Sequence, residues 1–151
     1  SGRRAIHLLV DIVAKGGNLL LNIAPGPDGT WQQGAFDLLK EYAAWMKVNG
    51  EAIYSTRPIS PYKEGKICFT QGKDGSIYSI YLADESEDMP ERISFKAFKP
   101  KKVSSVILLG SNLNLKWRMT ASAFEIIIPA QKHQYPPNPY AWVFKIKVSP
   151  N

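Results

Sequence analysis

Thirteen carboxylates, two histidines and a single cysteine are the groups in this chain able to serve as acids, bases, nucleophiles or metal ligands. Asp11 lies within a helical pattern, Asp28 in a turn and Glu51 just past a helix cap, while Asp84, Glu85, Glu87 and Asp88 form an acidic loop around Ser86. Each position suits a solvated side chain, a cap or a turn former. The acidic loop lacks the regular ligand spacing and the glycine of a calcium loop, so no metal is assigned to it. His7 falls on a helix and His133 in the polar run Gln131-Lys132-His133-Gln134, neither with partners at the spacing that zinc or a catalytic triad requires. Cys68 sits in the alternating run Lys66 to Thr70 without an activating base or cation beside it, which predicts a buried, inert thiol. No catalytic residue, metal or cofactor is assigned from these groups.

The elements that hold these residues change character along the chain. Ile6, Leu9, Val10 and Val13 make one face of a helix from Ala5 to Lys15, which Gly16-Gly17 should end with a left-handed cap. Leu19-Leu20-Leu21-Asn22-Ile23 is the short, nearly continuous apolar run of a strand buried on both faces, as parallel strands are. After the turn Pro25 to Gly29, Thr30 and Gln33 resemble a capping box, and Ala35, Leu38, Leu39, Tyr42 and Met46 carry a second helix to Asn49-Gly50. Beyond Gly50 the period becomes two, with Arg57-Pro58 and Pro61 as a linker. Strands are predicted over 66–70, 76–82, 92–95, 104–109, 115–119, 124–128 and 142–148, with a hairpin at Asp74-Gly75 and a loop at Pro136 to Pro139. The reading is an α+β fragment: residues 1–57 a helix, strand and helix, and residues 58–151 an antiparallel β-sandwich.

A formal charge of +6 raises the question of nucleic acid, since clustered cations displace the counterions of phosphates. The densest run, Lys96, Lys99, Lys101 and Lys102, is broken by Phe98 and Pro100 and reads as a solvated loop, so no nucleic-acid partner is expected. No apolar stretch approaches the roughly 20 residues of a membrane span. Ser1-Gly2-Arg3-Arg4 runs straight into a helix with neither initiator Met nor leader, which suggests a piece of a longer chain.

The stretch Leu9 to Pro25, LVDIVAKGGNLLLNIAP, continued by Asp28-Gly29, closely resembles glycoside hydrolase family 29, the α-L-fucosidases. The block Trp45 to Pro58, WMKVNGEAIYSTRP, resembles the family's next shared segment, and Ala141 to Ile146 resembles its last strand. The resemblance implies a retaining exo-α-L-fucosidase, built as a (β/α) barrel followed by a β-sandwich and acting on fucosylated glycans. Asn18 to Ile23 would be the last barrel strand and Ala35 to Asn49 the last barrel helix. The family's nucleophile, its acid/base residue and its fucose-gripping residues lie on earlier barrel strands, so the chain alone is expected to be inactive and structural in role. The longer protein is expected to be secreted, periplasmic or lysosomal.

Two residues are candidates for the substrate pocket. Asn22 is polar at the C-terminal end of the expected barrel strand, where barrel enzymes place their sites. Trp31 opens the loop on the same face, where its ring would cover a sugar. A carbohydrate-binding module is the alternative, with Tyr62, Tyr78, Tyr81, Trp117, Tyr135 and Tyr140 as its platform, although Tyr78 and Tyr81 fall on opposite faces of a strand. The apolar faces of both helices need cover, from the barrel, from a second copy or from the sandwich itself.

Overall fold

A computed structural model describes residues 1–111, 113–130 and 140–149. Two helices, α1 (Gly2–Ala14) and α2 (Gln33–Asn49), precede eight strands: β1 (Arg57–Glu64), β2 (Ile67–Gln71), β3 (Ile77–Leu82), β4 (Arg92–Phe95), β5 (Val103–Leu108), β6 (Lys116–Met119), β7 (Phe124–Ile127) and β8 (Ala141–Val148). The strands form a five-stranded sheet, β1-β2-β3-β8-β5, and a three-stranded sheet, β4-β7-β6, with every pairing antiparallel.

The five-stranded sheet is the middle of three layers. One face, with Phe69, Trp142 and Phe144, packs against Ile93, Phe95, Phe124 and Ile126 of the smaller sheet. The other face, with Cys68, Tyr78, Ile80 and Val143, packs against Ile6, Leu9, Val10 and Ala14 of α1. Burying an aliphatic side chain of this size contributes roughly 1.5–3 kcal/mol. The apolar stripe of α1 is therefore satisfied by folding back onto the sandwich. Helix α2 is not: of its seventeen residues only Trp45 and Asn49 are buried, and Phe36 and Val48 stand exposed.

Local chemistry explains most of the boundaries. Gly16, at φ +86°, closes α1 with the N–H of Gly17 bonded to the carbonyl of Ile12 and that of Gly16 to Val13, the reciprocal pair that Gly makes cheaply at this position. Gly75, at φ +82°, sits in the β2–β3 turn, where Asp74 accepts both the N–H and the hydroxyl of Ser76.

Three expectations need correction. Asn18 to Ile23 forms no strand and is largely exposed, with Leu20 at 83%, because a parallel strand requires hydrogen-bonded neighbours and no described strand lies alongside it. The capping box does not form: Thr30 gives its hydroxyl to Asp28 at 2.8 Å, and Gln32, without a side-chain bond, caps α2. Arg57 to Pro61 is not a linker but the start of β1, an edge strand whose pairing with β2 slips between Pro58 and Lys63, as prolines permit at an edge. His133, Tyr135 and the proline loop Pro136 to Pro139 lie outside the described residues.

Candidate functional site

The carboxylates are occupied by cations and turns. Asp11 accepts from Lys15 at 2.6 Å with Lys63 at 3.6 Å, and the Lys15 hydrogen bond holds its carboxyl below the usual range. Asp28 is lowered by the hydroxyl and then the N–H of Thr30, which tie it into its turn. Glu51 accepts from Lys145 at 2.6 Å and from the Tyr78 hydroxyl at 3.2 Å, fastening the turn after α2 to the sheet.

One constellation was not legible in sequence. Lys66 reaches Asp84 at 2.5 Å and Glu87 at 2.9 Å, bringing two carboxylates onto one ammonium. Burial pushes the Glu87 carboxyl up. Hydrogen bonds from the Tyr81 hydroxyl, the Asp84 N–H and Lys66 outweigh that and hold it at about 2. Lys66 is correspondingly raised, chiefly by its bond to Asp84. A retaining glycosidase needs one carboxyl of raised pKa to protonate the leaving oxygen. Glu87 is displaced the other way, its ionised form favoured first by the Tyr81 hydroxyl and then by the Asp84 N–H and Lys66. Among the described residues no group of three His, Cys, Asp or Glu side chains is placed to hold a metal.

His7 donates from Nε2 to the Tyr140 carbonyl at 2.8 Å, linking α1 to the start of β8. Cys68 is buried against α1, and that burial pushes its thiol up to about 11, far from a reactive thiolate.

Asn22 and Trp31 are both exposed, and no described hydrogen bond or ring contact joins them. Trp31 instead leans on Phe36 of α2 at 5.7 Å, with the rings 51° apart. The aromatic platform is dispersed. Tyr78 is buried on the helix side of the sheet, Tyr81 stacks on Trp142 on the sandwich side, Trp117 lies on the smaller sheet and Tyr62 faces Lys15. Period two separates the first pair, because residues three apart on a strand point to opposite faces.

A cavity of about 510 Å³ lies between the end of α1, the middle of α2 and the connector to β1. Leu9, Leu19, Tyr42, Tyr54 and Arg57 contribute to its wall, together with Ser55 at φ 58°. No carboxylate or histidine lines it, so it has no group for acid–base work on a glycosidic bond.

Comparison with known proteins places this geometry among relatives. Residues 1–51 match the family model of α-L-fucosidase, and residues 61–147 match that of the α-L-fucosidase C-terminal domain. An α-L-fucosidase of Branchiostoma floridae is 30% identical over 148 residues, covering 94% of this chain and 32% of the relative. The plasma α-L-fucosidase of Homo sapiens is 34% identical over 119 residues, covering 74% of this chain and 24% of the relative. The solved α-fucosidase of Thermotoga maritima superposes with a TM-score of 0.81 at 26% identity, over 97% of this chain and 34% of that one. The chain thus spans about a third or less of the length of these relatives.

Proposed function

The chain belongs to the α-L-fucosidase family and carries its C-terminal domain, and from that membership we propose that it supports the barrel of a retaining exo-α-L-fucosidase rather than breaking the glycosidic bond itself. The observation that carries this reading is geometric: Asp11, Glu51 and Glu87 are each taken up by a lysine ammonium, Asp28 and Asp74 by their own turns, and no carboxylate lines the cavity beside α2. A general acid must reach its substrate.

The supporting role follows from where apolar surface is left over. Trp31, Phe36, Val48 and Leu20 remain exposed on α2 and the loop before it. In the longer protein this surface would be covered by the catalytic barrel, and a second copy of the chain is the alternative cover. Asn22 and Trp31 would then line the substrate pocket once Asn18 to Ile23 pairs with neighbouring strands. The substrates of the whole protein would be fucosylated glycans, and its route the secretory or periplasmic one.

The test is hydrolysis of an aryl α-L-fucoside by the 151-residue chain beside the full-length protein. Turnover by the longer protein alone supports the proposal. Turnover by this chain overturns it and returns attention to Asp11, Asp28 and Glu51.

A further inference from the structure

Charge is unevenly distributed through the layers. Residues 91–130, which run from β4 through β5 of the larger sheet to β6 and β7, hold seven Lys or Arg against two Glu, a net of +5 beside +6 for the whole chain. The register fixes which of these share a face. Arg92 pairs with Ile127, which pairs in turn with Lys116, and Arg118 pairs with Glu125. Inward residues of the same strands, Ile93, Phe124 and Ile126, fill the core, so Arg92, Lys116, Arg118 and Glu125 stand on the outer face. Glu125 is clasped by Arg118 at 2.5 Å, with Arg92 at 3.8 Å, and the two arginines remain more than half exposed. Lys99, bonded to the Ala121 carbonyl, adds a cation at the end of the face nearest Arg118.

This face is also free of the helical layer. The sandwich core and the whole five-stranded sheet separate it from α1.

We infer that the outer face of the three-stranded sheet binds a sulfated glycan chain, with Arg92, Lys116 and Arg118 as its anion-gripping groups. Two strand spacings place Arg92 and Lys116, which both pair with Ile127, roughly 10 Å apart, a span that one anionic sugar and its neighbour can cross. A sulfate ester offers three acceptor oxygens, which several donors can share at once, whereas Glu125 already supplies the face with a carboxylate. Trp117, which pairs with the inward Ile126, points to the opposite, core-facing side and stacks on Phe124 there, so the outer face grips its ligand by charge alone. A duplex is less well matched, because a flat sheet face without a protruding element does not enter a groove. A bilayer is less well matched too, because the only apolar side chain the pairing puts on this face is the half-buried Ile127. The choice of a glycan as bearer of the anions rests on the proposed function; the anion site itself does not.

The experiment titrates the 151-residue chain with heparin, with chemically desulfated heparin, with single-stranded DNA and with phosphatidylserine vesicles. Tightest binding to heparin is expected, weakening as salt rises. Replacing Arg92, Lys116 and Arg118 together by Gln should weaken heparin binding by about tenfold or more, with circular dichroism unchanged. Removing three cations from the helical side, Arg4, Lys40 and Lys47, should change it by less than about twofold. Equal loss in the two triple variants, equal binding of desulfated heparin, or tighter binding of DNA or vesicles would each overturn the inference. The wild-type arms decide the question even where a variant misfolds. Fucoside hydrolysis by the longer protein is a separate readout, so either proposal can fail without the other.

Discussion

Trp45 donates its indole N–H to the carbonyl of Ala141 at 2.9 Å, a buried bond between residues 96 positions apart. It ties α2, which is otherwise poorly covered, to the first residue of β8, an interior strand of the five-stranded sheet. A Trp45→Phe variant keeps most of the ring but removes the donor from a buried carbonyl, which costs about 1–3 kcal/mol. Trp45→Ala adds a cavity and should cost about 3–5 kcal/mol. Denaturant midpoints of the two variants check this, and a Trp45→Phe midpoint equal to wild type would mean that the bond contributes nothing beyond packing.

Ser79 presents the opposite situation. Its Oγ is buried with no hydrogen-bond partner among the described residues, between the cross-strand neighbours Phe69 and Phe144. An unsatisfied hydroxyl in such a place costs about 1–3 kcal/mol of desolvation. Ser79→Ala should therefore raise the thermal midpoint or leave it unchanged, despite removing an atom from the core. A clear drop would show that the hydroxyl has a partner in solution, such as a bound water.

Cys68 should behave as a core residue. Its thiol, pushed up to about 11 by burial, is almost wholly protonated at neutral pH, and the residue is fully buried beneath α1. Alkylation at pH 8 is expected to be slow in buffer and rapid in guanidinium. Rapid labelling of the native chain would mean that α1 lifts from the sheet readily.

The strand pattern was legible because period two survives even in a sheet covered on both sides: the seven anticipated strands all appear, with ends displaced by at most a residue or so. The eighth, β1, was hidden by Pro58 and Pro61, which are compatible only with an edge, and nothing local announces an edge. Leu19 to Ile23 misled for a related reason, since its apolar run reports what the segment needs to touch and not whether the touching strands are in the same chain. The candidate site divides the same way. That Asp28 would form a turn and that Cys68 would be inert could be read from adjacent residues. The pairing of Lys145 with Glu51, 94 positions away, and the capture of both Asp84 and Glu87 by Lys66 exist only after the sheets have formed.

That last cluster predicts a specific acid sensitivity. The Glu87 carboxyl has an ordinary value of 4.5 and lies at about 2 in the folded chain. Because the folded value is depressed, the unfolded state binds the proton first as pH falls. The contribution of Glu87 to stability is therefore complete above about pH 4.5 and is lost progressively toward about pH 2. Glu87→Gln cannot titrate, so its stability should fall less steeply than wild type across that window while being lower at neutral pH, where the bond to Lys66 is weakened. Urea midpoints at closely spaced pH values separate the two curves. Parallel curves would show that Lys66 and Tyr81 do not hold Glu87 in solution as they do in the structure.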